Sequence, residues 1–240
     1  MNRKLAGLLL PVFLILNSCD GKRPDAEARK KAEHLVDSSS VSVRDIDGNS
    51  YLSIEIAGNR WMKENLRVKH FRNGDFIPDI KDPGAWGNIN KKGIAEKGKC
   101  CSYDNDASLA QIFGLLYNWY AVSDSRLLCP TGWHMPADSD WSALSQLLGG
   151  PACAGAELRE GTFTALPAGG REAEGSFTNR GSYAYFWNRN ANDSSNNCAY
   201  EEGCAKECTL CFSASFLLQS ATSKSRGMSV RCIKDREQSN

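Results

Sequence analysis

Histidine is scarce in this 240-residue chain, with only His34, His70 and His134 present. No Gly-x-Ser-x-Gly, His-Glu-x-x-His or phosphate-binding loop occurs, which removes the nucleophile-elbow, zinc-protease and nucleotide signatures. Charge of one sign is also lacking: 29 basic residues meet 28 acidic ones, a formal net charge of +1. No basic patch interleaved with aromatics appears, so nothing argues for nucleic acid as a partner. No internal repeat is visible. The one long apolar run, Leu5 to Leu16, is too short for an ordinary membrane-spanning helix. Cysteine, by contrast, is plentiful. Ten cysteines are many for a cytosolic protein of this size and point to an oxidising compartment. A hydrophobic content of 41% with 24% charged residues suits a globular protein with a substantial core, as one large domain or two small ones.

The N-terminus agrees with export. Arg3 and Lys4 precede the apolar run, which closes on Leu16-Asn17-Ser18-Cys19 and resembles the lipobox of bacterial lipoproteins. That resemblance implies that Cys19 carries lipid and becomes the first mature residue. Two or more acyl chains then give stable membrane anchoring. Residues 1–19 are thus assigned as signal peptide with lipobox cysteine. Residues 20–40 are charged, alanine-rich and end on Ser38-Ser39-Ser40, the composition of a flexible tether in which His34 is solvated. The folded domain is expected over 41–235, with a short tail over 236–240.

Within the domain, Asp47-Gly48 is a two-residue hairpin signal, and Leu52, Ile54 and Ile56 alternate with polar residues as in a half-buried strand. Gly58-Asn59 offers a second turn before Trp61-Met62. The densest stretch is Cys129-Pro130-Thr131-Gly132-Trp133-His134-Met135-Pro136. Its prolines lack backbone donors and fix φ, and its glycine permits a tight turn, so regular structure is excluded until Pro136. Trp141, Leu144, Leu147 and Leu148 then mark one face of a helix that Gly149-Gly150 ends. Trp133, Trp141 and Trp187 read as core, His134 as a hydrogen-bonded core residue, and His70 has no recognisable partner. Trp86, in a polar loop beside Pro83 and Gly84, is expected to be exposed.

Asp45-Ile46-Asp47-Gly48-Asn49 through Trp61-Met62-Lys63-Glu64-Asn65-Leu66 resembles the opening of the Fibrobacter succinogenes major paralogous domain, found on secreted proteins and lipoproteins of Gram-negative bacteria. Asn73-Gly74-Asp75, Tyr103-Asp104-Asn105-Asp106, Gly114 to Trp119, the Cys129 to Trp141 stretch, Phe163 to Arg171, Ala184 to Trp187 and Gly227 to Cys232 follow in the order of that family. The resemblance implies an α+β, C-type-lectin-like fold with twisted antiparallel strands, one or two helices, long loops and disulfide staples. It also implies a Cys129–Cys232 bridge, because both cysteines sit in family motifs and the last strand of lectin-like folds returns beside the core. One departure stands out: Ala137 and Asp140 occupy the serine and glutamate places of a capping box, which weakens the helix cap by ~1 kcal/mol.

With Cys19 lipidated, an odd number of cysteines remains, so at least one is unpaired or bridges chains. The adjacent pair Cys100-Cys101 would each seek a distant partner. Cys204, Cys208 and Cys211 have C-x₃-C-x₂-C spacing, which suits three corners of an iron–sulfur cluster, or zinc together with Cys198. Export weighs instead for disulfides or a free thiol, and no metal or other cofactor is expected. Asp104 and Asp106 read as a solvated turn, and the Glu-Pro-Asn or Gln-Pro-Asp calcium motif of sugar-binding lectins is absent.

The ligand-facing surface is expected between Tyr183 and Lys224. Asn188, Arg189, Asn190, Asn192 and Tyr200 crowd the stretch after Trp187, and so many short polar side chains call for water around a loop. The combined expectation is a non-enzymatic, outer-membrane, lipid-anchored cell-surface protein that binds a glycan or protein ligand. The alternatives are a metal-dependent oxidase of the formylglycine-generating kind and a purely structural envelope lipoprotein.

Overall fold

The computed structural model describes residues 36–56, 58–87, 97–192 and 203–236. Cys19, most of the tether, Cys198 and Tyr200 lie outside these described residues. In chain order the strands are β1 (Val36–Arg44), β2 (Ser50–Ile56), β3 (Asn59–Met62), β4 (Cys100–Cys101), β5 (Leu116–Tyr117), β6 (Trp133–His134), β7 (Gly170–Arg171), β8 (Phe177–Thr178), β9 (Tyr183–Asn192), β10 (Cys204–Cys211), β11 (Leu217–Ser223) and β12 (Ile233–Lys234). The α-helices are α1 (Pro83–Trp86), α2 (Ala107–Phe113), α3 (Trp119–Val122), α4 (Asp138–Leu147) and α5 (Ala154–Glu160). A curled sheet runs β1-β2-β3-β12-β6, a second runs β11-β10-β9, and two small pairs, β4-β5 and β7-β8, complete the set. Each pairing between these strands is antiparallel, while isolated parallel bridges join Asp79 to Cys100, Gly169 to Ala184 and Phe186 to Ser229.

A hairpin forms around Asp47-Gly48, but its loop spans the five residues Asp45 to Asn49 between the paired Arg44 and Ser50 and not the two expected. Gly48 sits at φ 79°, a conformation in which glycine escapes the Cβ penalty. Strand β1 begins at Val36 and pairs with Ile56, so the last five residues assigned to the tether belong to the sheet. A ladder is made by backbone groups and needs no apolar side chains. The irregularity between Asp37 and Val41 takes up the three serines. Leu52 departs from the alternation expected of it and is 43% exposed, whereas Tyr51 and Ser53 are buried. Tyr51 and Ser53 are buried because the sheet is covered on both faces. Tyr51 and Met62 face one apolar cluster; Ile54, Ile56 and Trp61 face another.

Strand β9 and the Cys232-Ile233 segment that opens β12 divide the interior in the same way. Tyr185, Trp187 and Cys232 join the first cluster, while Ala184, Phe186 and Ile233 join the second. A continuous run such as Ala184-Tyr185-Phe186-Trp187 is what a strand buried on both faces requires. Trp133, Trp141 and Trp187 all lie in these clusters.

Three arginines pin the loops to this core. Arg231 is fully buried; it donates to Asn65 Oδ1 (2.9 Å), to the Phe163 carbonyl (2.5 Å) and to the Thr164 carbonyl (3.0 Å). Its guanidinium also lies 4.2 Å from the Phe163 ring centroid. Burial lowers its pKa to about 9, so it remains cationic at neutral pH. Arg171, likewise buried, donates to the carbonyls of Gly175, Ile80 and Lys81. Arg72 takes the carbonyls of Cys129, Pro130 and Trp133. Those carbonyls lie in the proline-rich segment, where regular structure is not expected before Pro136; Trp133 and His134 nevertheless form β6, paired with β12. Carbonyl dipoles and aromatic faces thus offset the cost of removing a charge from water.

Cys129 and Cys232 are joined by a disulfide across a sequence separation of 103, with Cα atoms 5.9 Å apart. In the chain-entropy account, closing a loop of that size contributes ~4–5 kcal/mol. Cys153 and Cys204 are each in a disulfide as well. Cys100 and Cys101 are buried free thiols, contrary to the expectation of distant partners. Alternation along β4 sends Cys100 into the first cluster and Cys101 into a smaller one with Trp86, Tyr103 and Leu116. Burial pushes Cys101 up to about 12 and Cys100 higher still, so both stay protonated and unreactive.

Trp86 corrects another expectation: it is 2% exposed. Asp82 caps α1 through the Ala85 N–H, and the indole turns inward, donating from Nε1 to the Ser225 carbonyl at 3.0 Å. Arg171 lies over its ring at 4.5 Å.

Candidate functional site

From Asn188 to Asn192 the polar stretch continues β9 and is not the solvated loop expected; the remainder of the expected loop, residues 193–202, lies outside the described residues. Pairing with β10 is regular from Tyr183 opposite Cys211 to Trp187 opposite Glu207, and resumes at Ala191 opposite Ala205. Asn188, Arg189 and Asn190 therefore face Lys206 alone. Such a bulge bends its strand and re-aims its side chains.

Asn188 is turned inward and fully buried, which corrects its assignment as a ligand contact. Its Nδ2 donates to Asp138 Oδ1 at 3.3 Å, and its Oδ1 accepts from the Asn190 N–H at 3.1 Å. Asn190 is exposed, but its Oδ1 accepts from the Asp138 N–H at 2.9 Å. The Arg189 N–H donates to the Pro136 carbonyl at 2.8 Å, while the residue itself is exposed. The backbone of Asn192 pairs with Cys204; its side chain, and all of Tyr200, lie outside the described residues.

These contacts also explain how α4 starts without a capping serine. Ala137 has no side-chain acceptor to offer. The Asp140 carboxylate accepts the Ala137 N–H at 2.8 Å, and Asn190 reaches from another strand to take the next amide. The missing local cap, worth ~1 kcal/mol, is supplied through the fold. Asp138 is held further by Gln219 at 3.1 Å and by the Lys206 ammonium at 3.3 Å.

Beside the bulge lies an open cavity of about 520 Å³, with His134, Ser139, Asp140, Arg189, Asp235 and Arg236 in its wall. Lys234 also lines it, so three basic residues face two acidic ones. Asp140 is occupied by the helix start and Asp235 by His134. The Arg189 guanidinium has no hydrogen-bonding or ionic partner among the described residues. His134 sits at this rim with 34% of its side chain exposed, its Nδ1 2.6 Å from Asp235 Oδ1, and is not the core residue expected. A carboxylate-oriented imidazole suits proton transfer, and Ser139 lines the same cavity. Among the described residues, however, no hydrogen bond joins Ser139 to His134, so the link that activates a nucleophile is not formed.

The cysteine cluster takes the form of strand β10. Alternation places Cys204 and Cys208 on one face and Cys211 on the other, with ~10 Å between Cys208 and Cys211 at strand rise. Among the described residues no group of three or more His, Cys, Asp and Glu side chains is placed to hold a metal ion. Cys208 is pushed far up by burial; Cys211 is held below the usual thiol value by its hydrogen bond with the Ser213 hydroxyl. Asp106 caps α2 through the Ser108 N–H, and Asp104 lies 3.8 Å from Arg180. His70, expected to lack a partner, has its Nδ1 2.5 Å from Asp47 Oδ1.

These features define a mixed domain of antiparallel strands and few helices, bridged between its central loop and its last strand. No helix of the described residues is long and apolar enough to cross a membrane. Residues 54–234 match the family model described as the Fibrobacter succinogenes major domain, and the chain belongs to that family. No curated protein and no solved structure matches it.

Proposed function

We propose that this protein is a lipid-anchored, non-enzymatic surface module of the bacterial outer membrane that binds a glycan or protein ligand on a C-type-lectin-like scaffold. The observation that carries this reading is the bulge in β9. It commits Asn188 and Asn190 to the start of α4 and leaves Arg189 unpaired beside an open polar cavity. An arginine on a bridged, two-sided core needs no backbone ordering on binding, so an acceptor has only the rotamer freedom of one side chain to overcome. The lectin-like assignment draws support from the antiparallel strands and from the closing strand β12, bridged to the central loop beside the core.

The anchor rests on the Leu16 to Cys19 boundary. Cys19→Ala should shift the protein from the membrane to the soluble fraction; an unlipidated variant that still sediments with membranes would remove the anchor from the account. The binding function is tested by probing a glycan array and a panel of cell-surface proteins with the soluble domain. Saturable binding is expected, and a complete lack of it would favour a purely structural envelope role.

A further inference from the structure

We infer that a second cavity, sharing no lining residue with the first, is a binding site for a small hydroxylated carboxylate of sugar-acid size. It measures about 360 Å³, within the range typical of small-molecule sites. Two stretches of sequence that the binding face beside β9 does not use build its walls. Asp47 and Asn49 of the Asp45-Ile46-Asp47-Gly48-Asn49 turn line it, as does Asn105 of Tyr103-Asp104-Asn105-Asp106.

The first wall is a fixed structure. The Asp45 carboxylate accepts from the N–H groups of Asp47 and Asn49, from Asn49 Nδ2 and, at 2.6 Å, from the Tyr51 hydroxyl. The same hydroxyl accepts the Arg67 N–H at 3.0 Å. The Arg67 guanidinium rests 4.8 Å from the Tyr51 ring centroid and donates to the Ser50 carbonyl at 3.1 Å. Its position is therefore set before any ligand arrives.

The charge balance selects the ligand. Arg67, Lys69 and Lys81 face Asp47 and Asp79 in the cavity wall, a surplus of one positive charge among these five side chains. Both acids are already engaged. Asp47 holds the Lys69 N–H and the His70 ring, each at 2.5 Å, and Asp79 lies 3.8 Å from the Lys69 ammonium. Lys81 is exposed, and its ammonium has no partner among the described residues. A single carboxylate between Arg67 and Lys81 would neutralise the surplus, whereas a dianionic phosphate would exceed it. Ser102, Asn105 and Gln111 supply hydroxyl and amide groups to the wall, and no Phe, Tyr or Trp lines it. Selectivity therefore comes from hydrogen bonds to ligand hydroxyls and not from ring stacking.

The test is a calorimetric and NMR titration of the folded protein with D-glucuronate, D-glucose and glucose 6-phosphate. Glucuronate should bind and glucose should not, with affinity falling as salt is raised. Lys81→Gln, at an exposed position, should weaken glucuronate roughly fivefold, and Arg67→Gln roughly tenfold or more. Thermal melts should show the Lys81 variant folded as the wild type, and Arg189→Ala should leave this binding unchanged. Equal binding of glucose, tighter binding of glucose 6-phosphate, no glucuronate binding, or indifference to the Lys81 substitution would each overturn the assignment.

Discussion

Tyr183–Trp187 and Asn188–Asn192 are neighbouring halves of one strand held by different forces. In the first half, Phe186 packs against Trp141 with ring centroids 5.4 Å apart, and Trp187 donates from Nε1 to the Tyr117 carbonyl at 2.7 Å. Burial on both faces fixes it. In the second half no large apolar side chain contributes, and the bulge is held by hydrogen bonds to the first turn of α4 and to Pro136. The apolar half makes a firm base. The polar half spends two asparagines on completing a helix and leaves one arginine to reach outward. Polarity along a sequence therefore does not equal availability to a ligand.

Substitutions in the two halves should separate these roles. The largest effect belongs to Trp187→Ala, which removes a buried aromatic from the first cluster and should cost ~3–5 kcal/mol in denaturant unfolding. A loss under ~1 kcal/mol would mean that this half is not the base of the strand. Asn190→Ala comes next. It deprives the Asp138 N–H of its acceptor, and a lost cap costs ~1 kcal/mol, a fall in melting temperature of roughly 2–4 °C for a domain of this size. An unchanged melting temperature would remove Asn190 from the capping role. Arg189→Ala should have the smallest effect on stability, within about 0.5 kcal/mol of wild type, because its side chain supports nothing in the fold.

How much of this was legible in the sequence depended on the range of the interaction. The buried face of α4 follows from local periodicity, since its apolar spacing records which face is covered. Trp187 reads as core, but the strand around it does not, because an unbroken apolar run carries no alternation. The Cys129–Cys232 pairing came only from the family motifs. The bulge was not legible. Asn188 and Asn190 take partners 50 and 52 residues away, and composition cannot tell a polar group facing water from one facing a distant amide. The same limit hid Trp86, whose acceptor Ser225 is 139 residues distant, and His70, whose partner Asp47 lies across a folded hairpin. For Cys100 and Cys101 the number of thiols gave no guide, because only three-dimensional packing decides which of them find one another.

The division of labour within the bulge is tested most directly by measuring ligand affinity and melting temperature together. A ligand retrieved from the arrays would be titrated against wild type, Arg189→Ala and Asn190→Ala. The account predicts that Arg189→Ala loses most of its affinity at an unchanged melting temperature. Asn190→Ala should lose stability and keep its affinity well below its melting point. Full affinity in the Arg189 variant, at wild-type stability, would contradict the assignment of this cavity as the binding face.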